Sequence, residues 1–218
     1  MNRLFKAMVA VSLAVMILLS STSCTGIYNP PEGYTEKHHT YEEILDFAKS
    51  LDENAIVSET YTDTQIKAWN RKFREWDAVI NGIECHVSSV GDNVWDSTGE
   101  FPKQYYVIDT DYDYVLLNKI ISENHPNWEM SYTDINNRYN WNGLVSIQYV
   151  PSSEHKLSSD ELESIWENAY EIYTEYNSYP VRKAAWFCIS TPKGEAIFYD
   201  FSPEGKDKFF EEYEKDFQ

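Results

Sequence analysis

Asp109, Asp111 and Asp113 stand at alternate positions in the run DTDYDY, and carboxylates so spaced are oxygen donors able to surround a hard cation such as Ca²⁺ or Mg²⁺. A competing role comes from the apolar stripe that follows. Leu116, Leu117, Ile120 and Ile121 predict a helix over 112–123, and Asp109 or Asp111 then serves as its cap. Asp77 and His86 form a second set, because a carboxylate beside an imidazole orients the ring and raises its pKa. The same two residues equally suit an ordinary cross-strand ion pair. The third set is aromatic. The chain carries 17 Tyr and 7 Trp, and Trp95, Trp128, Tyr139, Trp141 and Tyr179 lie on polar segments, where an exposed ring stacks on a glycan or anchors a protein or peptide.

The elements that must position these residues follow from turn chemistry and apolar spacing. Asn81-Gly82 favours the two-residue type I′ turn of a β-hairpin. With that dipeptide as the loop, Ile80 faces Ile83, Ala78 faces Cys85 and Trp76 faces Val87 on one side, which is the core side. The other side pairs Val79 with Glu84, Asp77 with His86 and Glu75 with Ser88, a mostly polar surface. Cys85 and His86 are neighbours in sequence whose side chains leave opposite faces of a strand, so they do not form a Cys–His couple.

Thr40 and Glu43 make a capping box ahead of a short helix carrying Ile44, Leu45, Phe47, Ala48 and Leu51, and residues 55–66 read as a strand. A loop over 91–103 leads to a strand at 105–108 that runs into the three aspartates. Further strands are predicted over 128–135 and around 144–149. Ser158 and Glu161 cap the most regular helix, with Leu162, Ile165, Trp166, Ala169, Ile172, Tyr173 and Tyr176 at three- and four-residue steps. Lys183–Ser190 is apolar on both faces and suits a central strand, followed by a strand over 195–201 and a final helix from Gly205 presenting Phe209, Phe210, Tyr213 and Phe217. Hairpin-joined strands without repeated βαβ units predict one α+β domain over 40–218, with a mostly antiparallel sheet and helices packed on one face.

The first residues give an address. Arg3 and Lys6 precede the apolar run Ala7–Leu19, which is shorter than the ~20 residues of a bilayer span and gives way to Ser20, Ser21, Thr22 and Ser23, the pattern of an export signal. LLSSTSC, ending at Cys24, resembles the lipobox of bacterial lipoproteins. The resemblance implies that residues 1–23 are a cleaved signal peptide and that Cys24 carries diacylglyceryl and a further acyl chain such as palmitate. Residues 24–39, with Asn29-Pro30-Pro31-Glu32-Gly33, would then tether an outward-facing domain to the cell membrane. His38 and His39 at the end of this tether lack the spaced partners of a metal site.

Removing Arg3 and Lys6 with the leader reduces the 18 Lys and Arg to 16, against 36 Asp and Glu, a net −20. That excess repels phosphates and argues against nucleic acid as a partner. The short basic run Lys67, Arg71, Lys72 and Arg74 reads as a solvated cluster. Cys85 and Cys188 each fall on a predicted strand, as two buried thiols in preference to a bridge.

The aspartate run also resembles the opening of an EF-hand loop, although Tyr114 and Ile120 stand where that loop has its Gly and its bidentate Glu. It is similar, too, to the first motif of haloacid-dehalogenase-type phosphohydrolases, which would make Asp109 the nucleophile and Asp111 the acid–base. Together these features predict a membrane-anchored, extracytoplasmic binding or interaction module without catalysis. The alternative is a cation-assisted hydrolase using Asp109, Asp111 and Asp113, with Ca²⁺ or Mg²⁺ as its only cofactor.

Overall fold

The structure is a computed structural model that describes residues 33–66, 71–94, 103–131, 144–150 and 156–216. Among them the order is α1 (Tyr41–Leu51), β1 (Ile56–Ile66), β2 (Arg71–Ile80), β3 (Ile83–Val94), β4 (Lys103–Thr110), α2 (Tyr112–Asn124), β5 (Trp128–Met130), β6 (Leu144–Tyr149), α3 (Ser159–Tyr176), β7 (Ala184–Thr191), β8 (Gly194–Phe198) and α4 (Pro203–Asp216). Both capping boxes form, Thr40 with Glu43 and Ser158 with Glu161, each side chain answering the other's backbone N–H.

The β2–β3 hairpin has the register its turn dictates. Asn81 and Gly82 have φ of 50° and 74°, and Ile80–Ile83, Ala78–Cys85, Trp76–Val87 and Asp77–His86 are Cα partners. Asp52 at the end of α1 accepts the Asn81 N–H at 2.7 Å, and the Asn81 amide donates to the Tyr112 hydroxyl at 3.1 Å. The turn is therefore pinned by two helices. Ser88, expected on the polar side, is instead fully buried, as are Phe73 and Val90 on the same side.

The strands form two four-stranded sheets where one was expected. β1-β2-β3-β4 is an all-antiparallel meander, and β5-β6-β7-β8 is antiparallel except for β6 and β7, which run parallel. The parallel pair is joined through α3, a crossover unit that the local sequence hides because its two strands are separated by a long helix and loops. β7 lies inside its sheet, as its apolar faces require. The loop expected over 91–103 is also shorter, since β3 continues through Gly91 to Val94 and β4 begins at Lys103. Gly91 permits this, because a Cβ there would lie 2.8 Å from the Tyr106 ring.

One apolar core links the sheets and makes an α+β domain. α1 packs on β1, β2 and β3; α2 packs on β3, β5 and α3; α4 packs on β8. Around the second sheet the core is aromatic: Trp166 stacks on Phe198 at 5.2 Å, and Phe198 meets Phe209 at 4.2 Å. Cys85 and Cys188 are buried free thiols on different sheets.

Part of the expected tether is docked. Thr35 exchanges backbone hydrogen bonds of 2.8 Å with Tyr106 on the outer edge of β4. His39, read as exposed from sequence, is buried, and its N–H and ring Nδ1 both meet Ser89 Oγ at 3.0 Å. His38 Nδ1 reaches the same oxygen at 3.2 Å, and its ring lies 3.9 Å from that of Tyr106.

Candidate functional site

The aspartate run begins where β4 ends and crosses into α2, so its members leave the backbone in different directions. Asp109, on the last turn of strand, faces Lys183, whose Nζ lies 3.4 Å from Oδ1 and 3.2 Å from the Thr110 carbonyl. The cation this carboxylate meets is the chain's own. Burial pushes the Asp109 pKa up, and the Lys183 charge opposes that shift. Asp113, in the first turn of α2, is fully buried. Its Oδ1 accepts the Arg182 N–H at 2.7 Å, the Lys183 N–H at 3.3 Å and the Tyr176 hydroxyl at 3.1 Å, while Oδ2 has no partner among the described residues. Burial pushes the Tyr176 phenol far up.

Asp111 takes the N-cap place of α2 without the expected cap bond, because both oxygens are turned to β3. Oδ1 accepts the His86 N–H at 2.6 Å, and Oδ2 meets the His86 ring Nδ1 at 2.9 Å. Two further bonds close the clasp, Asp111 N–H to the His86 carbonyl at 3.3 Å and Thr110 Oγ1 to the same carbonyl at 2.7 Å. The run thus supplies three carboxylates to three separate partners. Among the described residues no group of three His, Cys, Asp or Glu is placed to hold a metal ion.

Asp77 and His86 do meet, with Asp77 Oδ1 3.5 Å from His86 Nε2, but Asp77 is the outer and looser partner. A carboxylate only accepts, so Asp111 fixes the proton on Nδ1 and leaves Nε2 to take or give one. The Asp111 hydrogen bond raises the His86 pKa above its ordinary value, burial opposes this, and the charges of Asp111, Glu75 and Asp77 add to it. No hydroxyl or thiol among the described residues is hydrogen-bonded to the ring. Cys85 next to it points into the core, where burial pushes its thiol up to about 12.

His86 borders an open groove of about 580 Å³ on the outward face of β1–β3. Ile56 and Val79, which are Cα partners, form an apolar floor; Ser58, Asp77, Glu84 and His86 stand around it. Ile56 is 68% exposed. The groove is therefore an apolar strip between carboxylates, a setting for a cation attached to an apolar group.

Of the five aromatic candidates, Trp95, Tyr139 and Trp141 lie outside the described residues. Trp128 is not the exposed ring expected: it is 4% exposed, stands edge-on to Phe187 and Tyr149, and donates its indole N–H to Asn168 at 2.8 Å. Tyr179 is half-buried against the core. The partners missed from sequence are Asp111 for His86 and Lys183 for Asp109. The β3–β4 register, with Val87 opposite Thr110, would have revealed the first, since it sets His86 beside Asp111. No family model, curated protein or solved structure is significantly similar to this chain.

Proposed function

We propose that this chain is a cell-envelope lipoprotein, anchored through lipid on Cys24, whose outward-facing domain is a non-catalytic binding module for a protein or peptide. The observation that carries the reading is the groove over β1–β3, where Ile56 and Val79 lie between Asp77 and Glu84. A segment presenting Lys or Arg beside an apolar side chain complements it in both shape and charge. The carboxylates of a strongly acidic chain also repel anionic partners. Titration of the full chain in detergent with a Lys-Leu-rich peptide tests this: saturable, salt-sensitive binding that is lost on reversing Asp77→Lys and Glu84→Lys is expected. Equal binding by the reversed variant removes the groove from consideration. For the anchor, labelled palmitate should enter the wild type and not Cys24→Ala.

The fixed Nδ1 proton of His86 favours one second reading, acid–base chemistry at Nε2 on a ligand in the groove. A turnover on any groove ligand that vanishes in His86→Asn while binding persists would select it over simple binding.

A further inference from the structure

Asn168 on α3 links two buried rings, and the chemistry of each donor fixes the direction of both bonds. An indole N–H only donates, so the 2.8 Å contact from Trp128 Nε1 makes Asn168 Oδ1 the acceptor and its Nδ2 the donor. Nδ2 lies 2.9 Å from His125 Nδ1, which must then offer a lone pair. His125 is accordingly a neutral imidazole with its proton on Nε2. That Nε2–H has no hydrogen-bond partner among the described residues, and His125, only 7% exposed, lines a pocket of about 200 Å³ at the α2–β5 turn.

The rest of the lining fits the same chemistry. Asn124 and Asn127 from the turn and Ser164 and Asn168, one helical turn apart on α3, supply both donors and acceptors. Tyr149 and Ile165 supply apolar surface, and Trp128, edge-on to Tyr149 at 5.4 Å, fixes that ring. Among the described residues no charged side chain lines the pocket, although 36 Asp and Glu crowd this chain. A small site made of amides, the hydroxyl-bearing residues Ser164 and Tyr149, a neutral imidazole N–H and one aromatic ring matches a ligand that is uncharged, dense in hydroxyls and apolar on one face.

The geometry points to a second binding site, in which His125 Nε2–H, Asn168 and the neighbouring amides hold one neutral hexose unit of a glycan against Tyr149. It is independent of the groove beside His86, so either site can fail without the other. The test is the Trp128 indole N–H resonance of the ¹⁵N-labelled full chain, held in a sugar-free detergent and identified by its loss in Trp128→Phe. Glucose, galactose and N-acetylglucosamine are titrated to tens of millimolar, since a ligand of so few atoms binds weakly. Glucosamine and glucuronate are the charged controls. Expected is a saturable shift with at least one neutral sugar, at least tenfold weaker binding of both controls, and abolition by Ser164→Trp, an exposed position that fills the pocket while leaving the thermal midpoint unchanged. No shift with any neutral sugar overturns the assignment. So does equal binding of the charged sugars, or binding that survives in a folded Ser164→Trp variant.

Discussion

The carboxylate of Asp111 grips His86 at two points, its backbone N–H at 2.6 Å and its ring Nδ1 at 2.9 Å. The ring side chain is 41% exposed and the carboxylate 1%, so a buried anion orients a surface base. A proton added at Nε2 meets Asp77 outside and Asp111 within.

This relationship has a signed pH dependence. The folded pKa of His86 is raised by the Asp111 hydrogen bond, so the charged ring stabilises the fold fully below its unfolded value of about 6.5 and loses that contribution as pH rises through the folded value. His86→Asn keeps a donor toward Asp111 but cannot be protonated. The thermal midpoint of the wild type should exceed that of His86→Asn by more at pH near 5.5 than near 9. A constant gap across that range would refute the coupling.

His39 and His38 behave oppositely. Burial lowers both pKa values; for His38 the Arg74 charge adds to the effect, while Asp63 opposes it, and for His39 the charge of Glu43 opposes it. The fold prefers the neutral rings, so their contribution is intact above about pH 6.5 and is lost as pH falls below that value. Ser89 Oγ explains the limit: it has two lone pairs, and protonating both rings would aim three N–H donors at it. Hydrogen-exchange protection at Thr35 and Tyr106, corrected for intrinsic rates, should fall between about pH 7.5 and 5. Unchanged protection would show that the strap is held by something other than these rings.

Asp113 should divide two substitutions that remove the same charge. Asp113→Ala leaves the Arg182 and Lys183 N–H groups without their shared acceptor, while the Tyr176 hydroxyl keeps the Lys183 carbonyl at 2.8 Å, and is expected to cost about 3 kcal/mol. Asp113→Asn keeps that acceptor and puts a buried amide N–H group in place of the unpartnered Oδ2, so its cost should be the smaller of the two, about 1 kcal/mol. Denaturant midpoints decide, and two equal losses would mean that the charge, not the acceptor, matters.

Gly205 is the other sensitive point. A Cβ there would sit 2.0 Å from the Asp200 carbonyl oxygen, a backbone atom that cannot swing aside as a side chain would. Gly205→Ala should cost about 3 kcal/mol, although Ala is intrinsically the better helix residue by about 1 kcal/mol. A stabilised variant in urea melts would mean that the 200–205 turn relaxes freely.

Local chemistry made part of this molecule legible. The β2–β3 register follows from Asn81-Gly82 alone, and two capping boxes mark where α1 and α3 begin. What stayed hidden depends on distant partners. His86 and Asp111 are joined only after β4 folds back on β3, and Asp109 meets Lys183 across much of the chain. Alternation read Ser88 as exposed because the period of a strand says which face a residue takes, not whether that face is covered. Trp128 misled for a related reason, since its polar neighbours in sequence are not its neighbours in space.

The two backbone bonds between Thr35 and Tyr106 also set a length. On the proposed anchor at Cys24, the first docked residue after the lipid is Thr35 and not Thr40, the N-cap of α1, and the eleven residue steps between Cys24 and Thr35 can span at most ~40 Å. On that same proposed anchor, acid that protonates His38 and His39 would release the strap from Ser89 and Tyr106 and shift the first docked point toward Thr40, lengthening the greatest distance at which the domain could stand from the lipid.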